Sequence, residues 1–206
     1  MSWLAKSVIG NHAQTVGASE TDFIISDAFK ITSAGAKTIR VDVALGKVTD
    51  GDSSSVIELA HKSGFNAWSD TKSQATSGST TNKALTPDFT TGIITSNAHG
   101  FVLNSAVVLN GVAVMAGLVS GVVYYVRKID ANTFYLTATP DGDILEFTDD
   151  GNTVTATLVT YIGLTLNIEV AGDQGYLPLR QQGRVTLTTG AGDSVQVLDV
   201  FVTQED

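Results

Sequence analysis

Few side chains in this 206-residue sequence combine the type and spacing needed for chemistry. There are three histidines: His12, His61 and His99. They are far apart, and no HxH or HExxH spacing brings two imidazoles to one metal. His61 shares strand parity with Leu59 and Ile57 and reads as a residue capping a core face. His99 precedes Gly100 and reads as a turn-shaping residue. Neither is expected to ligate a metal or to catalyse.

Acidic turns are the next candidates: Asp50-Gly51-Asp52, Asp141-Gly142-Asp143 and Asp149-Asp150-Gly151-Asn152. Calcium needs six to eight oxygen ligands, and clustered aspartates on a loop can supply several. None of the three matches the twelve-residue calcium loop with its terminal Glu. Asp-Gly pairs are also the residues that hairpin turns with positive φ require, so these segments read as turns. There is no Gly-x-Ser-x-Gly elbow and no Ser-x-x-Lys motif beside a partner set. Gly190-Ala191-Gly192 resembles half of a phosphate loop but has no following helix and no Lys-Ser/Thr end, so it reads as a hairpin turn. The carboxylate pair of a glycosidase is set by distance in space, and nothing in the sequence singles one out. No catalytic, cofactor-binding or metal-binding residue is expected.

Contact chemistry is better represented. Tyr124, Tyr125, Phe134 and Tyr135 fall in two alternating runs. Strand parity turns Tyr124 and Phe134 inward and Tyr125 and Tyr135 outward, where they can grip a sugar or a protein. Near the N-terminus, Trp3, Leu4, Val8 and Ile9 are apolar anchors in a small, polar segment. That segment, residues 1–19, is either an arm docking on a neighbouring subunit or a terminus that frays or folds back on its own domain. Any helix within Ser2 to Val8 spans at most a turn or two.

Composition sets the frame for these residues. The chain is rich in Gly, Thr, Ser and Val, with 43% hydrophobic and 16% charged residues, which favours a folded protein of strands and turns. Its net charge of −9 argues against a phosphate-binding surface, so no nucleic-acid partner is expected. Cysteine is absent, which excludes disulfides, thiolate metal sites and a cysteine nucleophile. No apolar run reaches the ~18 residues of a membrane span, and the first residues lack the apolar stretch of a secretion signal.

The elements follow from alternation. Ile39, Val41, Val43 and Leu45 share one strand face, and Leu164, Leu166, Ile168 and Val170 share another. Residues 69–82 read as a loop or weak edge strand. Phe65 and Trp68 suit the edge of a sandwich core. In the last strand Val195 and Val197 have one parity while Leu198, Val200 and Val202 have the other. A β-bulge near Leu198 would restore a single apolar face. Residues 20–90 and 159–206 each supply too few strands for a sandwich, and together they supply enough. The expected fold is all-β: a discontinuous antiparallel, jelly-roll-like β-sandwich over 20–90 plus 159–206, with a small β-barrel-like module inserted at 91–158. The linkers are placed at Pro87-Asp88-Phe89 and Thr157 to Tyr161.

The inserted segment carries Ala98-His99-Gly100, Gly117-Leu118, Gly121 followed by Tyr124-Tyr125-Val126, and Asn132-Thr133-Phe134-Tyr135-Leu136. In these features it resembles the β module related to the first catalytic-cysteine half-domain of ubiquitin-activating enzymes, a kind of module that recurs in proteins of tailed bacteriophages. The resemblance covers about a third of the chain. It implies no catalytic residue, because the module is structural in that enzyme family and this chain has no cysteine. The run from Tyr176-Leu177-Pro178-Leu179-Arg180 to Gln204 resembles, less specifically, small phage structural proteins.

From the resemblance comes a functional expectation: a bacteriophage virion structural protein, first of all a capsid decoration (cement) protein. Its flat β faces and N-terminal arm would bind the major capsid protein or other virion proteins, as a homotrimer at local symmetry axes, made in the host cytoplasm and carried on the virion. The module would project outward from it. The alternatives are a tail fibre, baseplate or adaptor component, and a carbohydrate-binding β-sandwich.

Overall fold

A computed structural model describes residues 2–6, 14–20, 23–26, 29–31, 35–49, 55–63, 69–76, 82–111, 117–148, 154–170 and 181–205. The described residues are all β and turn, with antiparallel strand pairing throughout. They form two compact units: Met1–Ser77 with Tyr161–Asp206, and Gly78–Thr160.

The first unit contains two five-stranded sheets. One is built from β1 (Ser2–Lys6), β2 (Gln14–Val16), β5 (Gly35–Thr49), β15 (Thr160–Val170) and β17 (Ser194–Glu205). Its order is β1-β17-β5-β15, with β2 also on β17. The other comprises β3 (Phe23–Ile24), β4 (Phe29–Ile31), β6 (Val56–Ser63), β7 (Ser69–Ala75) and β16 (Gln181–Thr188). Its order is β3-β16-β6-β7, with β4 also on β16. Alternation decides which side chains meet. Ile39, Val41, Val43 and Leu45 of β5 join Ile57 and Leu59 of β6, Val185 and Leu187 of β16, and Leu164 and Leu166 of β15 in one buried core fed by both sheets. That shared core is the sandwich. Ile168 and Val170 have side chains outside the described residues, as does His61.

Of the passages between the two sheets, two that follow one another in space give the unit its jelly-roll-like element. The chain passes between sheets from β5 to β6 and again from β16 to β17, while β5 pairs with β17 and β6 with β16. Gly190-Ala191-Gly192 is therefore a corner between sheets, not the hairpin expected. Gly192 has φ +86°, and the Asp193 N–H donates to the Gly190 carbonyl at 3.2 Å. Both crossings are fastened at one buried point. Ser55 Oγ donates to Asp193 Oδ2 at 2.7 Å, and the Gly190 N–H donates to Ser55 Oγ at 3.3 Å.

The phase break in β17 is resolved by a bulge at the expected place. Val197 pairs with Leu45 and Asp199 with Ala44, so Leu198 is an extra residue on β17. A second irregularity compensates on β5, where Val195 pairs with Val48 and Val197 with Leu45. Val195, Val197, Val200 and Val202 consequently all reach the core. At the N-terminus, where the sequence allows at most a turn or two of helix, Ser2–Lys6 is a strand on β17, with Leu4 the extra residue between the Trp3–Thr203 and Ala5–Val202 pairs. The polar segment after β6 contains the edge strand β7. His12, Phe65, Trp68, Asp50-Gly51-Asp52 and the Tyr176 to Arg180 run lie outside the described residues.

The second unit begins earlier than the expected boundary at 91. It contains β8 (Asn82–Ala84), β9 (Thr86–Asp88), β10 (Ile93–Thr95), β11 (Ala106–Asn110), β12 (Val123–Lys128), β13 (Thr133–Thr137) and β14 (Thr155–Leu158). Pro87 and Asp88 are thus strand residues of the module, not a linker. The sheet order is β8-β14-β11-β12-β13-β10-β9. Its two edge strands, β8 and β9, are neighbours in sequence, separated by Leu85 alone. The side chain of Leu85 is buried, and its N–H continues the β8–β14 register by donating to the Val154 carbonyl at 2.9 Å. The covalent chain thus joins the two edges of the sheet at Leu85, while the hydrogen-bonded ladder stays open among the described residues. Leu85, Ile94, Phe101, Leu109, Val126, Phe134, Leu136, Phe147 and Ala156 are among the residues of a core belonging to this unit.

Candidate functional site

Two of the segments that carry the resemblance, Ala98-His99-Gly100 and the turn ending at Asn132, meet at one end of the module. The loop of residues 96–105 joins β10 to β11, and the turn at 129–132 joins β12 to β13. His99 ties the two. Its ring is buried against Phe101 and Phe134, with both centroid separations 5.1 Å. The Phe101 N–H donates to His99 Nδ1 at 2.9 Å, and His99 Nε2 lies 3.1 Å from the Asp130 carbonyl oxygen. An acceptor at Nδ1 and a donor at Nε2 assign the neutral Nε2–H tautomer, which satisfies both ring nitrogens inside the protein.

Asn132 completes the joint. Its side-chain oxygen accepts the Ala98 N–H at 2.9 Å, and its carbonyl accepts the Ser96 N–H at 2.8 Å. Ala98 sits in the left-handed region at φ +46°, followed two residues later by Gly100 at +75°. The other shared positions work in the same way. Tyr124 is buried, and its hydroxyl accepts the Val119 N–H at 2.8 Å. Gly117 and Gly121 have φ of +107° and +79°. At Gly117 a Cβ would lie 3.0 Å from the Glu146 carbonyl, so both backbone angle and space exclude a side chain.

Asp130 and Asp88 are the two turn aspartates whose carboxyls are held below the ordinary carboxylate range. At Asp130 the Asn132 N–H is the main cause, followed by the bond from Thr133. At Asp88 it is the Thr91 hydroxyl, followed by the Thr90 N–H. Each carboxylate is spent on capping its own turn. Among the described residues no three His, Cys, Asp or Glu side chains converge as a metal site would require.

The outward face of β12 and β13 is different, because its polar groups are not all consumed. Tyr124 and Phe134 are buried while Tyr125 and Tyr135 are half-buried on the opposite face, as alternation requires. Register places Tyr125 across from Thr137 and Arg127 across from Tyr135. Two turns meet over this face. Asn104 Nδ2 donates to Asp141 Oδ1 at 2.9 Å, and the Asp141 N–H donates to Asn104 Oδ1 at 3.2 Å. Both residues are left-handed, with φ of +61° and +55°. Beneath them is a pocket of about 210 Å³ lined by Leu103, Asn104, Arg127, Thr137 and Asp141.

Sequence reading selected the tyrosines but missed this pocket, whose members come from four separate segments. The available signal was weak: Asn104 and Asp141 are residue types that tolerate positive φ, and Asp141 precedes a glycine. Of the other residues selected for contact, Trp3 and Leu4 lie on β1 in the chain's own sheet, and Val8 and Ile9 fall outside the described residues.

Comparison of the chain with protein-family models, with curated proteins and with solved structures returns no match. The fold and the chemistry of its surfaces therefore define the protein as an all-β chain of two units, a sandwich and an inserted module.

Proposed function

We propose that the chain is a bacteriophage virion structural protein, a capsid decoration protein that binds and stabilises the head shell through the major capsid protein. One observation carries this reading. Ala98, His99, Tyr124 and Asn132, which underlie the resemblance to a module recurrent in phage proteins, commit their polar groups to the module's own turns. That arrangement builds a rigid element for display or contact and leaves none of these groups free for catalysis. The sandwich supports the same reading: broad antiparallel sheets offer flat faces that closed symmetry can repeat, so that weak contacts on each protomer of a trimer add together.

The test is location. Antibody-gold labelling of purified particles should decorate whole heads, and adding the protein to undecorated heads should raise their resistance to heat. Label confined to one vertex or to the tail would transfer the protein to the tail machinery. Particles without label would overturn the virion assignment.

A further inference from the structure

We infer that the pocket over the outward face of β12 and β13 binds a single neutral sugar ring, giving the module a recognition role wherever the protein is located. The argument begins with its walls. Asn104 and Asp141, 37 residues apart, meet through two hydrogen bonds, each from a left-handed backbone. Asn and Asp enter that region readily in turns, and each is held there by the other. Here the reciprocal bonds hold two turns over Thr137 and fix the pocket's shape before any ligand arrives.

The second step is what remains unspent. Asp141 Oδ1 is engaged by Asn104, while Oδ2 has no hydrogen-bond partner among the described residues. Arg127 likewise has no hydrogen-bond or ion-pair partner among them, and it lines the same pocket. A carboxylate and a guanidinium lining one pocket offer an acceptor and a fork of donors. Adjacent hydroxyls on a pyranose, each both donor and acceptor, satisfy that pair. A free anion would meet Asp141, and a free cation Arg127, so the mixed pair selects a neutral polyol over either.

Apolar surface completes the match. Leu103 is 58% exposed at the pocket edge, and Tyr125 and Tyr135 lie on the same sheet face, across the ladder from Thr137 and Arg127. Sugar rings carry apolar C–H faces that pack on such side chains. The volume, about 210 Å³, is below the ~300–1,000 Å³ usual for larger ligands, which restricts the site to one ring. A single ring in so open a groove binds weakly, with a Kd on the order of 1–10 mM. Many copies on one particle would raise that to useful avidity.

The experiment is titration of the isotope-labelled full chain with glucose, galactose, N-acetylglucosamine and rhamnose, followed by two-dimensional NMR. At least one sugar should shift the Asn104, Arg127 and Thr137 signals saturably. Arg127→Ala and Asp141→Asn should each weaken binding about tenfold or more. Asp141→Asn keeps an amide oxygen for Asn104 and tolerates the left-handed backbone, so the pocket stays assembled; an unchanged spectrum elsewhere checks this. Absence of saturable shifts with all four sugars, or shifts that both variants leave intact, would overturn the inference. Either result is independent of where the protein sits on a particle.

Discussion

His99 Nε2 lies 3.1 Å from the carbonyl oxygen of Asp130, and through this contact the loop before β11 is fastened to the turn between β12 and β13. Replacing His99 with Ala removes a buried ring and leaves the Phe101 N–H and the Asp130 carbonyl without their partner. Together the cavity and the lost bonds should destabilise the module by about 3–5 kcal/mol. His99→Phe retains the ring volume but restores neither bond, so it should still cost about 1–3 kcal/mol. Denaturant unfolding followed by module-specific NMR signals checks both. In the wild-type chain, the nitrogen shifts of the imidazole should report the Nε2–H tautomer.

Ala98 and Ser19 occupy the left-handed region at φ +46° and +59°. Glycine enters this region without steric cost, whereas an L side chain costs roughly 1–2 kcal/mol there. After the entropy that glycine loses on folding, Ala98→Gly should stabilise the module by about 0.5–1 kcal/mol. Ser19→Gly should act similarly, but on the sandwich. Paired thermal melts of the two variants check this, with each substitution shifting the transition of its own unit.

Asp88 and Asp130 predict the acid behaviour of the module. Their folded-state carboxyls are held low by donors within their own turns, first Thr91 for Asp88 and first Asn132 for Asp130. A depressed folded value means that the unfolded chain takes up protons first as pH falls. The stabilisation is therefore fully present above the ordinary aspartate range of about 4, and is lost as pH drops through the lower folded values. Asp88→Asn and Asp130→Asn should each flatten this acid loss, as measured by urea midpoints across a pH series from neutral to strongly acidic.

Ser55 and Asp193 fasten the β5–β6 and β16–β17 crossings of the sandwich. Ser55→Ala takes a donor from a buried carboxylate and an acceptor from the Gly190 N–H, so it should cost about 2–3 kcal/mol. The loss should appear in the sandwich transition while the module's signals remain unchanged. A simultaneous loss in both units would show that they unfold as one.

The module should also fold when excised as residues 78–160. Its core is its own, and its first and last strands pair directly: Asn82 sits opposite Thr157, and the Thr157 hydroxyl donates to Asn82 Oδ1 at 2.9 Å. The first and last described strands are thus neighbours, and among the described residues no strand of the module loses its partner. Dispersed NMR spectra and cooperative unfolding of the fragment are expected; a disordered spectrum would contradict it.

Period-two alternation in the sequence was sufficient to place Ile39, Val41, Val43 and Leu45 in a core, to turn Tyr124 and Phe134 inward, and to require a bulge at Leu198. These are local consequences of a pleated backbone, whose side chains change face at every residue. Tertiary structure alone decided which strands became neighbours. Pro87-Asp88-Phe89 reads as a linker, yet Leu85 separates two short strands that form opposite edges of one sheet. Gly190 to Asp193 reads as a hairpin, yet it turns a corner between sheets. Asn104 and Asp141 carry no mark of their meeting. Such pairings depend on loop closure and on packing among residues distant in sequence, and no local pattern encodes them.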